Sequence, residues 1–307
     1  MIDIYNKALS ESKFYINSNT SPYNDSILEI TIIDNKPSIT RHCNNSFKDR
    51  ERIVLSFIIK TCSISKRKIN VICRIGLHDR YFEDFGIMVF SRDINNKNTL
   101  IPDIYAMTQY SNSLNINDRN SFKNKANKAA FIGSTTGNEN PALNDRLLLC
   151  DWANKNNNTN KINAYISNIC QISPENISEV FPNYKDFLYK FIDFNNLLVY
   201  KFIISIDGNT TAWDRIPRIF ASNSICLKKK SRNVNWYYDF MLPNVHYIEY
   251  DKNEDLISLI DKYSSPEEES TCSKIIENSH KFVNDYLFIN SHLIYMENLL
   301  YILSNNK

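Results

Sequence analysis

Apolar positions in the first third of the chain predict one helix and two strands. Residues 53–64 carry apolar side chains densely enough for a buried helix. Residues 69–75 predict a buried strand that ends at Gly76, and residues 87–90 predict another strand. The stretch 111–128 is polar, rich in Asn and Lys, and has no apolar period, so we expect a domain boundary there.

Beyond this stretch, predicted strands and helices alternate, which is typical of a parallel sheet covered by helices. Strands are expected near 129–132, 162–166, 197–206, 224–228 and 245–250, and helices near 145–153, 184–191 and 215–221. Helical segments follow from Glu254 onward, and the last, near 287–303, is apolar on all sides and needs a groove to bury it. We therefore expect an α/β protein with an N-terminal domain (1–120), a second domain (121–285), and a C-terminal helix (286–307) that packs back on the first domain.

Length, charge and cysteine content narrow the class of protein. The 307 residues suffice for two domains, and the net charge of +2 argues against nucleic acid as the main ligand. The seven cysteines are scattered without a C-x-x-C pair, which favours reduced thiols and argues against zinc. We expect a cytoplasmic protein, because the N-terminus lacks a signal-peptide pattern and no run is long enough to span a bilayer.

The first candidate site is the glycine-containing segment Phe131-Ile-Gly-Ser-Thr-Thr-Gly137. It directly follows a predicted strand and precedes a helix whose expected N-cap is Asn144. Backbone N–H groups and the hydroxyls of residues 134–136 can face an anion there, with Arg146 in the first helical turn adding positive charge. The segment fits neither a Walker loop nor a complete G-x-G-x-x-G motif, so an ordinary strand-to-helix turn is the alternative interpretation.

A second candidate site spans residues 204–224. A buried strand ends in Asp207-Gly-Asn209, which places polar side chains at the edge of the sheet where ligands bind in open α/β folds. Arg215 and Arg218 are three residues apart on the following helix, and a guanidinium fork suits a diphosphate. The alternative is a capped turn followed by surface arginines.

A third candidate is Asp79, which follows the end of the strand at 69–75. A carboxylate in such a loop can accept the proton of a hydroxyl group, although His78 and Asp79 also fit a simple polar turn. Asp84 is close enough in sequence to compete for the same role.

Together these segments resemble glycosyl transferase family 90, and the first-domain segments 75–79 and 100–104 resemble its bacterial members. The similarity is strongest over 128–260, where the following segments keep the family's order and spacing: 128–137, 200–209, Ala212-Trp213, 222–228, 236–247 and Asp255-Leu256.

The resemblance implies a GT-B architecture, in which two Rossmann-like domains face each other across a cleft and the second holds a UDP-sugar. It also implies an inverting, metal-independent transfer in which Asp79 matches the base. The donor-binding positions that it implies or that the segments above contribute are Gly133, Ser134, Thr135, Arg146, Asp207, Gly208, Trp213, Arg215, Arg218 and Ser224. Many relatives carry Arg where this chain has Ile132, so we expect Arg146, Arg215 and Arg218 to supply more of the positive charge.

The expected acceptor is a hydroxyl of a glycan, such as lipopolysaccharide or another surface glycan. The basic run 228–232 suggests peripheral contact with an anionic membrane surface, and a solvated loop is the alternative. Other functional interpretations are a non-catalytic nucleotide- or sugar-binding relative, a transferase acting on a protein hydroxyl, and a retaining transferase.

Overall fold

The computed structural model describes residues 24–79, 81–84, 86–108, 114–156, 160–189 and 193–305. The strands in these residues are β1 (Ile27–Ile33), β2 (Lys36–Arg41), β3 (Val71–Gly76), β4 (Ile87–Met88), β5 (Arg92–Asp93), β6 (Ala126–Ser134), β7 (Ile162–Asn168), β8 (Tyr200–Ser205), β9 (Ile225–Lys229), β10 (Asn233–Val234) and β11 (Ile248–Tyr250). The α-helices are α1 (Lys48–Ile64), α2 (Ile104–Thr108), α3 (Asp145–Lys155), α4 (Pro174–Val180), α5 (Arg215–Phe220), α6 (Asp255–Ser264), α7 (Glu269–Phe282) and α8 (Ile289–Asn305). No described helix is long and apolar enough to cross a membrane.

The chain forms two compact units. The first unit takes the described residues up to 108, Arg232–Tyr238 and 285–305, and the second takes Ser113–Ser231 and Asp239–Asn284. The sequence pattern instead predicts that the segment 232–238 belongs to the second domain (121–285). Its place in the first unit follows from its contacts, because β10 pairs with β5 and the Trp236 ring packs on His292 and Tyr295 of α8.

The first unit contains a mixed sheet in the order β2-β1-β3-β4. Strand β1 runs antiparallel to both β2 and β3, whereas β3 and β4 are parallel. Asp34 and Asn35 have φ of 51° and 61°, and such a two-residue turn suits the twist of a hairpin. This antiparallel hairpin differs from the all-parallel sheet of a Rossmann-like domain, which the family resemblance implies for this part of the chain. Helix α8 packs on α1 and α2 of the same unit.

The second unit contains a five-stranded parallel sheet in the order β11-β9-β8-β6-β7. Leu188 forms a single parallel bridge with Ile166 and so extends the sheet by one residue beyond β7. The chain starts at β6, moves outward to β7 and position 188, and then returns to β8 on the other side of β6. The order of strands therefore reverses between β6 and β8, and the carboxyl edge at such a reversal is where open α/β sheets bind ligands.

Most elements predicted for this unit are confirmed, including β6, α3, β7, β8, α5, β9 and the helices after residue 254. The predicted helix at 184–191 is wrong, because residues Tyr184–Phe187 form a short 3-10 turn. Leu188 then joins the sheet edge through its bridge to Ile166, so backbone pairing ends the turn. All seven cysteines are free thiols, as predicted from their spacing.

Candidate functional site

The site begins where strands β6 and β8 separate. Their ladder ends at Ala130 and Ile203, so the backbone groups beyond these residues are not paired between the two strands. Two guanidinium groups fill the gap. Arg215 Nη2 donates to the Ile132 carbonyl at 2.6 Å, and Arg146 Nη2 donates to the Ile206 carbonyl at 3.2 Å.

Arg146 joins the two loops that leave these strands. Its Nε donates to the Asp207 carbonyl at 2.9 Å, and its Nη1 donates to the Ser134 carbonyl at 3.1 Å and to Thr136 Oγ1 at 2.6 Å. With the bond to the Ile206 carbonyl, four acceptors from two loops converge on one buried side chain. Arg146 therefore acts mainly as an organiser of the site, because it holds the two loops together. Its positive charge also contributes to the electrostatics of the gap.

Asn144 places Arg146 at the first turn of α3. The Asn144 Oδ1 atom accepts from the backbone N–H groups of Arg146 and Leu147, which confirms the predicted N-cap. Its Nδ2 donates to the Thr135 carbonyl at 3.0 Å, so the same side chain ties the helix to the preceding loop.

Arg215 reaches the gap from the first turn of α5. Its guanidinium carbon lies 4.7 Å from the centroid of the Phe131 ring, and a Cβ at Gly133 would come within 3.0 Å of Nη2. The Nη1 atom is buried and has no hydrogen-bond partner among the described residues. Because a buried donor of this kind is costly unless it is satisfied, an anionic ligand is the natural partner for Arg215.

The electrostatics of the gap favour an anion. Burial, and then the nearby Arg215, lower the pKa of Arg146 to about 9, while burial lowers the pKa of Arg215. The Asp207 carboxylate opposes the lowering for Arg146, and Asp214 and then Asp207 oppose it for Arg215.

Both carboxylates have further partners. The Asp207 Oδ2 atom accepts a hydrogen bond from Ser231 Oγ at 2.6 Å. Asp214 also pairs with Arg218 at 3.7 Å, so three guanidinium groups share two carboxylates in this part of the unit, and this balance suits an anion.

Close backbone approach explains the glycines on the two loops. Gly137 has φ of +131°, a conformation that side chains disfavour, and its N–H donates to Asn209 Oδ1 at 3.1 Å. A Cβ at Gly208 would lie 2.8 Å from Thr136 Oγ1 and 3.0 Å from Arg146 Nη2. The glycines therefore let the two loops touch each other and the organising arginine.

Six of the donor-binding positions expected from the sequence come together here: Gly133, Ser134, Arg146, Asp207, Gly208 and Arg215. Trp213 is half-buried in the turn before α5. The contact of Arg215 with Phe131 was not anticipated, and no motif in the sequence signals it.

Thr135 points away from this group. Its side chain is fully buried, its Oγ1 donates to the Cys170 carbonyl at 2.6 Å, and the same oxygen accepts from the Cys170 N–H. The Thr135 N–H donates to the Asn168 carbonyl. Thr135 therefore fastens the segment after β7 instead of presenting a hydroxyl to a ligand.

Ser224 and Arg218 are also not brought to the gap. Ser224 precedes β9 and so lies at the opposite, amino edge of the sheet, where its Oγ accepts from Lys125 Nζ at 3.0 Å. Lys125 and Asp118 form a buried ion pair at this edge, 2.7 Å apart. Arg218 stacks on Phe194, with its guanidinium carbon 4.2 Å from the ring centroid.

The basic run 228–232 does not form a continuous exposed face. Lys228 is buried, and Lys229 Nζ lies 3.3 Å from the carboxylate of Asp145 in the same unit. In the first unit, Arg232 forms two hydrogen bonds with the carboxylate of Asp93.

The two acidic candidates of the first unit differ sharply in their surroundings. The Asp84 side chain is 5% exposed, its Oδ2 accepts from Arg74 Nη1 at 2.9 Å, and its Oδ1 accepts from the Gly86 N–H. Asp79 is about one-third exposed, and its Oδ1 lies 3.4 Å from His78 Nδ1. Asp84 is thus committed to local structure, and Asp79 is the more accessible carboxylate.

The loop that carries Asp79 is anchored at its start. The Leu77 N–H donates to the Ser26 carbonyl at 2.9 Å, and Arg50 Nη1 donates to the Leu77 carbonyl at 2.5 Å. A Cβ at Gly76 would lie within 2.3 Å of the buried Phe82 ring, so that ring packs directly on the glycine. In the described residues, no cluster of three or more His, Cys, Asp or Glu side chains is placed to hold a metal ion.

Solved structures of glycosyltransferases are similar to this chain at low identity. A glycosyltransferase from Rickettsia africae is 14% identical, with 87% of this chain and 69% of that chain covered and a TM-score of 0.43. The C-terminal domain of a glycosyl transferase group 1 family protein, LpcC, from Francisella tularensis is 12% identical, with 54% and 89% covered and a TM-score of 0.37. The pneumococcal O-GlcNAc transferase GtfA, solved with UDP and GlcNAc, is 9% identical, with 68% and 41% covered and a TM-score of 0.36.

No curated protein matches the sequence significantly. The sequence model described as glycosyl transferase family 90 matches residues 100–305, which is more than half of the chain. This region includes both loops at the gap between β6 and β8, together with Arg146 and Arg215. The chain therefore belongs to glycosyl transferase family 90 and is a glycosyltransferase.

Proposed function

We propose that this enzyme transfers a sugar from a UDP-sugar to a hydroxyl group of a glycan, with inversion at the anomeric carbon and without a metal ion. The observation that carries this proposal is the convergence of Arg146 and Arg215 on the loops after β6 and β8. The resemblance to family 90 is the reason to propose that the transfer inverts the anomeric configuration and that the donor carries a uridine nucleotide. Its bacterial character favours lipopolysaccharide or another surface glycan as acceptor.

The arginines have the chemistry to bind the leaving group. When the bond between the anomeric carbon and the phosphate oxygen breaks, negative charge grows on the UDP. Arg215 has a buried donor atom that no described residue satisfies, and Arg146 contributes a second fixed positive charge. Positive groups that are already in place stabilise such charge without reorganisation during the reaction, which is the role that a metal ion fills in other transferases.

We propose Asp79 as the general base. Its carboxylate would accept the proton of the acceptor hydroxyl as the acceptor oxygen forms its bond to the anomeric carbon. Partial exposure of Asp79 supports this assignment, whereas both oxygens of Asp84 already bond Arg74 and Gly86.

The test measures UDP release from UDP-glucose, UDP-xylose and UDP-galactose, with and without glycan acceptors. Replacing Asp79→Asn should lower turnover by roughly 10²- to 10⁴-fold, the usual contribution of a general base, and leave UDP affinity unchanged. Asp49→Asn is the matched control, because Asp49 is an exposed carboxylate of the same unit. Activity should persist in EDTA, and NMR of the product should show inverted configuration.

Each alternative predicts a different outcome. Wild-type activity in Asp79→Asn would refute the base assignment alone. UDP binding without hydrolysis or transfer from any donor would indicate a non-catalytic relative, and retained configuration would indicate a retaining transferase. Failure to bind UDP at all would refute the donor site.

A further inference from the structure

A histidine side chain lies directly against the proposed base. His78 Nδ1 is 3.4 Å from Asp79 Oδ1, and this ring nitrogen is buried although the Asp79 side chain is 32% exposed. A neutral imidazole that carries its proton on Nδ1 can donate it to a carboxylate. The contact is slightly longer than an ordinary hydrogen bond, and such contacts between catalytic groups often tighten when the substrate binds.

The imidazole is held from outside its own loop. The Phe47 ring, in the turn before α1, has its centroid 5.6 Å from that of the His78 ring, and the two planes are inclined by 55°. The Arg50 guanidinium carbon lies 5.9 Å from the centroid of the same Phe47 ring, and Arg50 Nη1 donates to the Leu77 carbonyl. The start of α1 therefore fixes both the backbone before His78 and the His78 ring.

A fixed donor at one carboxylate oxygen determines where the other oxygen points. The terminal torsion of an aspartate side chain is broad, so a partly exposed carboxylate can take many orientations. Only some of these orientations direct a lone pair at an acceptor hydroxyl. A donor that holds Asp79 Oδ1 selects one orientation and leaves Oδ2 for the hydroxyl, as the third group of a catalytic triad does for its base.

We propose that His78 is the positioning residue of the general base: its Nδ1–H donates to Asp79 Oδ1 and directs Oδ2 at the acceptor hydroxyl. This inference rests on the proposed function, since it requires Asp79 to be the base. The hydroxyl proton passes to Asp79 Oδ2 as the acceptor oxygen bonds to the anomeric carbon and the bond from that carbon to the UDP oxygen breaks. His78 keeps its own proton throughout.

Three variants test the position of a single N–H group. His78→Phe keeps a ring against Phe47 but removes the donor, and kcat should fall by roughly ten- to a hundredfold, the scale of loss for a misplaced reacting group. His78→Asn carries an amide nitrogen on the γ carbon, where Nδ1 is attached, and should retain most of the turnover. His78→Gln places the amide one carbon farther out and should be as slow as His78→Phe. UDP affinity and the urea midpoint of unfolding should stay at wild-type values.

A double-mutant cycle tests whether His78 acts through Asp79. The base is absent in Asp79→Asn, so adding His78→Phe to it should cause no further loss of turnover. His42→Phe is the matched control, because His42 is an exposed histidine of the same unit whose Nδ1 bonds Glu51.

The outcomes separate this inference from the proposed function. Wild-type turnover in both His78→Phe and His78→Gln would overturn the positioning role and leave the proposed function intact. An equal loss from His78→Phe with and without Asp79→Asn would do the same, because it would show that His78 acts independently of the base. Wild-type activity in Asp79→Asn would overturn the base assignment together with this inference, and failure of wild type to transfer sugar from any UDP-sugar would overturn both proposals.

Discussion

Replacing Arg146 with lysine should destabilise the second unit strongly although the positive charge is kept. Arg146 serves four acceptors on two loops at 2.6 to 3.2 Å. A lysine ammonium presents its donors from a single nitrogen and cannot span both loops, so we expect about two acceptors to lose their partner. Each buried polar group left unpaired costs roughly 1–3 kcal/mol, which gives a loss of about 2–6 kcal/mol in the free energy of unfolding.

The matching change Arg215→Lys should act mainly on ligand binding. Arg215 makes one hydrogen bond, to the Ile132 carbonyl, and one stacking contact with Phe131. Losing the guanidinium plane should cost about 1–2 kcal/mol of stability. UDP affinity should fall by roughly tenfold or more, because the fork that suits a diphosphate is gone.

Urea unfolding and UDP titration on the same preparations separate these two roles. Arg218→Lys serves as the control, since Arg218 stacks on Phe194 away from the gap. Should Arg146→Lys unfold at the same urea concentration as Arg215→Lys, the assignment of Arg146 as the organiser of both loops is refuted.

Two further changes probe the first unit. Burial lowers the pKa of His292 to about 4, so between pH 6.5 and 4 the folded state binds fewer protons than the unfolded state. Stability should therefore fall with decreasing pH by up to about 1.4 kcal/mol per pH unit, and His292→Gln should flatten this dependence in urea titrations at pH 6 and 4.5. Gly76→Ala should cost roughly 1–3 kcal/mol, because its Cβ would overlap the Phe82 ring, and thermal unfolding should show partial recovery when Phe82→Leu is added. A wild-type melting temperature for Gly76→Ala alone would contradict this packing.

Apolar patterning predicted the second unit better than the first. The central strands β8 and β9 of the parallel sheet are buried almost throughout, so each gives a compact apolar run in the sequence. The β1–β2 hairpin was missed although β1 carries a β-branched apolar pattern with alternate buried positions. Strand β2 gives little apolar signal, because it alternates between exposed and half-buried positions. The Asp34-Asn35 pair between them is a second signal of a hairpin.

The predicted ends of the strands indicate where most of the site residues lie. The spacing of residues along the sequence does not indicate the direction in which their side chains point. Arg146 and Arg215 start the helices after two strands, which places both near the carboxyl edge. Ser224 comes before its strand and so belongs to the amino edge, a distinction that requires strand polarity as well as sequence proximity. Thr135 has neighbours of similar chemistry, and only the fold shows that its hydroxyl bonds the Cys170 backbone.

The chain passes between the two units four times, at 112/113, 231/232, 238/239 and 284/285. A protease that cuts between 231 and 232 would produce two fragments that each contain parts of both units, so this cut would release neither unit intact. Recombinant isolation of the second unit would require a short linker in place of 232–238, because a fragment that ends at 231 would lack β11, α6 and α7.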